Sequence, residues 1–179
     1  MESREDRRVS MTRKMLKDAL TDMLRETDIY HVSIRELCRR ADVNRSTFYK
    51  HYGSQFDLLA DMEKDLLDFL ARTITEHAAN PERIIETACR YLEDHLEFGR
   101  LILNNNMDPL FPQKLFSMTA LRELAAENSA EMHDEAMMEY SFNFVTYGAF
   151  RILYIWLNKD QRESPEQIAR LLMQMIRPE

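Results

Sequence analysis

The amino-acid sequence predicts an all-α protein. Only three Gly and five Pro occur among its 179 residues, so the residues that make tight turns and hairpins are scarce. Leu, Ala, Met, Glu and Arg, which favour helices, are abundant. Apolar residues recur three and four positions apart through most of the chain, which is the spacing of amphipathic helices. Together these observations predict about nine helices.

The charge of the chain is distributed unevenly. The net charge of -7 by itself argues against a protein that binds nucleic acid. Residues 1–52, however, hold 12 Lys and Arg against 9 Asp and Glu, whereas the rest of the chain holds 12 against 22. A mildly basic N-terminal region therefore precedes an acidic body, and the objection to nucleic-acid binding does not apply to the first region.

Three helices are predicted in the basic region. An amphipathic stripe predicts the first over residues 9–26. Ser33, with Glu36 three positions later, predicts a capping box at the start of a second helix over residues 34–41. A three-residue turn then ends at Asn44, which is placed to cap a third helix. Two short helices joined by such a turn form a helix-turn-helix motif.

The third helix, residues 44–52, has the composition of a phosphate-binding segment, because it is rich in basic, hydroxyl and aromatic residues and contains no acid. Four of its side chains can point outward together: Ser46, Thr47, Lys50 and His51. Phe48 and Tyr52 lie four positions apart and share another face of the helix. We interpret these two aromatic residues as the core contacts of the helix rather than as DNA contacts.

The acidic body also contains clear helix signals. Ser54 predicts the start of a long fourth helix, and Asn-Pro at 80–81 and Ser-Pro at 164–165 predict the starts of two others. The largest helical candidate, residues 131–159, is apolar nearly all round after Met137. A helix of this kind is expected to be buried on all sides.

Several classes of protein are disfavoured. Cys38 and Cys89 lie within apolar helical patterns and belong to no CxxC pair, so we expect two buried thiols in a reducing compartment. The N-terminus has no apolar run behind its charges, and the apolar stretch at 142–157 is too short to span a bilayer. We therefore expect a soluble, cytoplasmic protein with neither a signal peptide nor a membrane anchor.

The sequence shows no catalytic or metal-binding constellation. His31, His77, His95 and His133 are scattered and have no Cys or carboxylate partner at zinc spacing. No Gly-rich phosphate loop and no nucleophile elbow occurs. We accordingly predict no metal, no cofactor and no enzymatic activity.

The basic region resembles the DNA-binding domain of the TetR/AcrR family of one-component bacterial transcriptional regulators. The resemblance covers about residues 9–60. It depends on Val-Ser-Ile-Arg-Glu-Leu-Cys at 32–38, Ala-Asp-Val-Asn-Arg-Ser-Thr-Phe-Tyr-Lys-His-Tyr at 41–52 and Asp-Leu-Leu at 57–59.

The resemblance implies a three-helix, helix-turn-helix domain over residues 1–53 and an all-α effector-binding and dimerisation domain over residues 54–179. It predicts a repressor that a small-molecule effector, of unknown identity, releases from a palindromic double-stranded DNA operator. The remaining expected partner is a second copy of the chain, and no membrane partner is expected. The alternative is a TetR-like coactivator or interaction module that acts mainly through a protein partner.

Eight residues are predicted to contact DNA: Ser33, Arg35, Arg45, Ser46, Thr47, Tyr49, Lys50 and His51. Arg45, Ser46 and Thr47 are placed to read base edges, whereas residues 49–51 and Ser33 have the chemistry of phosphate ligands.

Two features near this set leave room for alternatives. Gln55 stands where many relatives have a Lys, so a backbone contact at that position is expected to be weaker or absent. Arg39 and Arg40, in the second helix, fit either a solvated face or a set of phosphate ligands.

The body holds a pool of Met and aromatic residues that suits an adaptable pocket, or plain core and interface. From the resemblance, the predicted pocket residues are Phe98, Met107, Met118, Asn143, Thr146, Tyr147 and Arg151. Because relatives dimerise through their last two helices, the predicted interface residues are Tyr154, Ile155, Ile168, Leu172 and Met175.

Overall fold

The computed structural model describes residues 4–104, 108, 110–128 and 134–176, and these residues form ten α-helices, one 3-10 turn and no strand. The prediction of an all-α fold is confirmed. The chain divides into two compact units, Met1–Leu66 and Leu67–Glu179. The predicted functional boundary after residue 53 stays a prediction, since it concerns activity rather than contacts.

The first unit is built from four helices: α1 (Arg4–Leu24), α2 (Ile34–Arg40), α3 (Arg45–His51) and the first half of α4 (Gln55–His77). Each helix contributes at least one side chain that is fully buried: Leu16 and Leu20 of α1, Leu37 of α2, Phe48 of α3 and Leu58 of α4. Burying a side chain of this size stabilises a fold by about 1.5–3 kcal/mol. The helices therefore share one apolar core.

The turns of this unit differ from the prediction in two places. Ser33 precedes α2 as its N-cap residue, but its side chain makes no cap hydrogen bond. The predicted capping box is not formed, and the Glu36 carboxylate accepts hydrogen bonds from Arg39 and Arg40 instead. Asn44 likewise precedes α3 without a side-chain cap bond.

The other predicted helix starts are confirmed. The Ser54 hydroxyl accepts from the Asp57 amide at 3.3 Å, and the Asn80 side chain accepts from the Arg83 amide at 3.0 Å. The start of the last helix is a reciprocal pair, in which Ser164 and Gln167 each accept from the other's amide.

The second unit contains the rest of α4 and six further helices: α5 (Pro81–Asp94), α6 (Leu96–Leu103), α7 (Phe111–Phe116), α8 (Thr119–Asn128), α9 (Glu135–Leu157) and α10 (Pro165–Ile176). Helix α10 packs along α5, and α6 packs on α9. Gly99 permits the close approach of α6 to α5 and α9. A Cβ atom at this position would lie 3.1 Å from the Leu92 carbonyl oxygen of α5 and 3.0 Å from Leu157 Cδ1 of α9.

Helix α9 contradicts the expectation of burial on all sides. Trp156 and Leu157 are buried as expected, but large apolar side chains on another face are exposed, including Phe144 at 83% and Tyr140 at 73%. The residues of this face, which we name the α9 stripe, are Met137, Tyr140, Phe144, Tyr147 and Ile155. Hydrophobic pattern does not distinguish a helix covered by its own chain from one that leaves a face for another molecule.

The two cysteines are buried, and each is a free thiol, as predicted. Burial raises the pKa of the Cys89 thiol to about 12, so the group stays protonated and behaves as a small apolar side chain. Within the described ranges, no helix combines the length and hydropathy that a membrane span requires.

The two Asn caps provide a matched test of the fold. We expect Asn80→Ala to lower the free energy of unfolding by about 1 kcal/mol, because the substitution leaves the Arg83 amide without its partner. Asn44→Ala is the control, since the Asn44 side chain makes no cap bond. Urea denaturation monitored by circular dichroism measures both, and equal losses in the two variants would contradict the assignment.

Candidate nucleic-acid interface

Helix α3 presents one apolar face to the core and one polar face to solvent. Phe48 is fully buried and Tyr52, the residue that ends the helix, is nearly so, which confirms that these two aromatic side chains belong to the core. Four of the predicted DNA-contacting residues in this segment are exposed: Arg45, Ser46, Tyr49 and Lys50. Thr47 and His51 are half-buried at the edges of the same face.

The cations on and near this face are uncompensated. Among the described residues, Arg35, Arg45 and Lys50 form no ion pair, and none of the residues of α3 is acidic. The Tyr49 ring stands edge-on to Phe48, with ring centroids 5.4 Å apart, so its orientation is set by the core. The face therefore combines available positive charge with a supported aromatic hydroxyl, which suits a nucleic-acid backbone.

The neighbouring Arg39 and Arg40 are different. Arg39 donates two hydrogen bonds to the Glu36 carboxylate, at 2.8 and 2.6 Å, and Arg40 contacts both Glu36 and Glu26. Hydrogen bonds from Arg39 and then Arg40 lower the pKa of Glu36 to about 2. Of the two interpretations left open by the sequence, the structure therefore favours a network of surface ion pairs that joins α2 to the chain after α1 over a set of phosphate ligands.

Two further positions lie before and after α3 in the sequence: Ser33, a predicted DNA contact, and Gln55, where a weaker or absent contact is expected. Ser33 is exposed, and its hydroxyl is not used to cap α2, so that group remains accessible for an acceptor from outside the chain. Gln55 is the first residue of α4, half-buried and uncharged, so this position contributes no cation to the surface.

A polar cluster missed at the sequence level lies behind α3. The Tyr52 hydroxyl donates to Asp61 Oδ2 at 2.8 Å and accepts from Arg13 Nε at 3.1 Å, and Lys17 Nζ lies 2.7 Å from the same Asp61 oxygen. Burial raises the pKa of Tyr52 to about 12, so the phenol remains protonated. The spacing of the charges was a usable signal: Arg13 and Lys17 are four apart in α1, and Asp61 and Asp65 are four apart in α4.

The predicted pocket residues are distributed over two helices of the second unit, α6 and α9, and the turn between α7 and α8, and Met107 lies outside the described residues. Phe98 and Met118 are half-buried. Asn143 and Thr146 donate to the carbonyl oxygens of Glu139 and Phe142, four positions back in α9. Their donors therefore serve the helix itself.

The two remaining pocket candidates each contact an aromatic ring. Tyr147 stands edge-on to Phe116, with centroids 4.7 Å apart. The Arg151 guanidinium lies over the Tyr154 ring at 4.6 Å. These contacts give α9 a set of partly exposed aromatic and cationic groups.

The predicted interface residues differ in exposure, and Tyr154 is half-buried. Ile155 and Met175 are exposed, at 47% and 60%. Ile168 and Leu172 are only 4% and 2% exposed within the single chain, where α10 packs on α5. These last two stabilise the unit itself and leave almost no surface for a second chain.

A curated relative, the uncharacterized HTH-type transcriptional regulator YxbF of Bacillus subtilis (strain 168), is 21% identical over 169 residues, which is 90% of the present chain. The chain spans only 43% of that relative's length.

Two solved structures share the fold. A TetR transcriptional regulator from Streptococcus agalactiae 2603V is 22% identical with a TM-score of 0.69, over 96% of this chain and 97% of the other. The dihydroxyacetone kinase operon activator DhaS is 16% identical with a TM-score of 0.62, over 92% and 93% of the two chains.

Family profiles match both parts of the sequence. The profile described as bacterial regulatory proteins, tetR family, matches residues 17–62, which include the helix-turn-helix. The profile described as transcriptional regulator C-terminal region matches residues 79–178. The chain belongs to the TetR family of DNA-binding bacterial transcriptional regulators.

Proposed function

We propose that this TetR-family regulator is a repressor that binds a palindromic operator as a homodimer and leaves it when a small molecule binds the body. The observation that carries the proposal is the exposed face of α3, which is cationic, free of acids and mounted on buried aromatic residues. Regulators of this family are generally not enzymes. The site of action is the cytoplasm, where the bacterial chromosome lies.

In the proposed complex α3 enters the major groove, which accommodates a helix of about 10–12 Å diameter. Arg45 begins α3 and is exposed, so its guanidinium is placed to donate two hydrogen bonds to a guanine edge. Tyr49 and Lys50, also exposed, bind phosphate oxygens and hold the helix in the groove. Thr47 and His51 are half-buried and serve at the edges of this contact.

A first prediction separates base reading from phosphate binding. We expect Arg45→Ala to weaken binding to an operator duplex, selected from a random pool by the wild-type protein, by about 1–3 kcal/mol. Lys50→Ala is expected to weaken binding to all sequences similarly. It should also lower the slope of log K against log salt concentration by about one, which corresponds to the loss of one phosphate contact. Fluorescence anisotropy at several salt concentrations measures both effects.

Arg39→Ala is the matched control, since Arg39 is a neighbouring exposed arginine whose guanidinium is paired with Glu36. It should bind the selected duplex like the wild type. The proposed contacts are wrong if Arg45→Ala retains full affinity, or if Arg39→Ala loses as much as Arg45→Ala.

The proposal of a homodimer is supported by the exposed apolar residues of α9. Single apolar residues on a surface are ordinary, but a row of five along one helix indicates a surface that meets another molecule. Ile155 belongs to this row, and Met175 is exposed on α10, the other helix expected at the interface. A two-fold axis between two chains would place two copies of α3 to read two half-sites about 34–36 Å apart.

A second prediction tests the dimer. Phe144 is the most exposed residue of the α9 stripe, so Phe144→Glu should place a charge in the interface and yield monomers at micromolar concentration. Leu110→Glu is the control, because Leu110 is also an exposed apolar residue but does not belong to α9. Sedimentation velocity distinguishes the states, and the proposal fails if Phe144→Glu remains dimeric.

The effector site is proposed to lie in the second unit, beside α9. Partly exposed rings and guanidinium groups support it: Tyr147 on Phe116, Arg151 over Tyr154 and Arg122 over Phe142. Aromatic walls with a few polar groups are typical of small-molecule sites. Since α4 has residues in both units, it is the proposed route by which effector binding changes DNA affinity.

A second candidate function is a coactivator that binds another protein through the α9 stripe. The fold similarity to DhaS, described as an operon activator, is compatible with it, although a similarity at 16% identity concerns the fold alone. The exposed apolar row favours this candidate only if the wild-type chain is monomeric at micromolar concentration. The sedimentation experiment on the unmodified protein therefore decides between the two candidates.

A further inference from the structure

The orientation of α3 depends on few contacts. The helix has seven residues, and its N-cap side chain makes no hydrogen bond to it. Helices of this length are not stable by themselves in water, so tertiary contacts must hold it in place. Phe48 supplies the central apolar contact, but apolar packing is largely non-directional and does not by itself fix the rotation of the helix about its axis.

Directional contacts occur at the end of the helix, at Tyr52. The Tyr52 ring packs at 5.8 Å from the Phe48 ring, and its hydroxyl is used in both directions. It donates to Asp61 Oδ2 of α4 at 2.8 Å and accepts from Arg13 Nε of α1 at 3.1 Å. One hydroxyl therefore connects the end of α3 to two other helices through bonds that weaken steeply when misaligned.

The Asp61 carboxylate is the centre of this cluster. Arg13 Nη2 lies 2.5 Å from one of its oxygens and Lys17 Nζ lies 2.7 Å from the other, while Lys17 also pairs with Asp65. Partial burial acts to raise the pKa of Asp61, but bonds from Lys17 and Tyr52 outweigh it and lower the pKa below its ordinary value. The acceptor therefore stays ionised, and bonds to an ionised acceptor are roughly twice as strong as neutral ones.

We propose that Tyr52 and Asp61 are positioning residues for operator recognition: their hydrogen bond, supported by Arg13 and Lys17, sets the rotation of α3 and so aims its outer face at the bases. Neither residue touches DNA in this proposal. Base contacts require correct distance and angle, whereas attraction to phosphate depends mainly on charge. Loss of the bond should therefore reduce specificity more than general affinity for DNA. The inference rests on the proposed operator binding.

The test uses the full-length protein with two duplexes of equal length, one selected from a random pool by the wild type and one with that sequence scrambled. Tyr52→Phe removes only the hydroxyl and leaves the buried ring. We expect it to bind the selected duplex about tenfold more weakly. Its affinity for the scrambled duplex should change by less than about threefold. Asp61→Asn should shift the specificity ratio in the same direction.

Asp65→Asn is the matched control, because Asp65 also lies in α4 and pairs with Lys17 but makes no contact with Tyr52. It should retain the wild-type specificity ratio. The double variant Tyr52→Phe/Asp61→Ala should be no worse than Asp61→Ala alone if both act through one hydrogen bond, because Ala removes the acceptor of that bond. Thermal denaturation confirms that every protein is folded at the assay temperature.

A purely structural role gives a different result. In that case Tyr52→Phe lowers the melting temperature but binds the selected duplex like the wild type, or weakens both duplexes equally, and the inference is overturned. Additive losses in the double variant also overturn it. Because Tyr52→Phe is so conservative, the test survives if Asp61→Asn does not fold. A wild-type protein with no preference for any duplex would instead refute the proposed function itself.

Discussion

The burial of Phe48 is the interaction on which the position of α3, and with it the proposed DNA-contacting face, depends. The side chain is fully buried, as are Leu16, Leu20, Leu37 and Leu58 of the other helices of the first unit. A seven-residue helix has too few internal hydrogen bonds to be stable alone, so α3 depends on tertiary contacts such as the burial of Phe48. The outer face of α3 can be polar and charged because its inner face is secured in this way.

Some arginines of the first unit are paired with carboxylates and others are not. The guanidinium groups of Arg39 and Arg40 donate hydrogen bonds to the carboxylates of Glu36 and Glu26. Arg45, on the next helix, has no acidic partner among the described residues. An unpaired cation costs little at an exposed position and is available to phosphate or a base edge. The net charge of the chain is therefore a poor guide to its partners, since local pairing decides which cations are available.

The second unit contains apolar side chains that are buried within the chain and others that are exposed to solvent. Helix α10 covers α5 with Ile168 and Leu172, and the interhelical pair between Arg90 and Glu166 lies outside this apolar contact. The α9 stripe, by contrast, leaves rings such as Phe144 in water within the single chain. Burial of apolar area is favourable, so this stripe is the part of the unit from which association with another chain would gain most.

Local sequence determined the helices and most of their starts. Apolar periodicity, together with Asn80-Pro81 and Ser164-Pro165, placed helices that the structure confirms, because periodicity and capping act within a few residues. The pattern of 41–52 was also enough to identify the motif and the inward role of Phe48. These features depend on interactions between residues a few positions apart, so the order of the residues is enough to predict them.

Only the tertiary structure decided how distant groups pair. The Glu36 carboxylate accepts from arginines instead of forming the predicted capping box. The Tyr52 hydroxyl forms hydrogen bonds with residues 39 positions before it and 9 positions after it. Helix α9 exposes a face that was expected to be buried. Each outcome depends on competition between partners brought together by packing. Sequence spacing reports which groups can meet along one helix, but the choice among partners on different helices is made by distance, angle and burial in the folded chain.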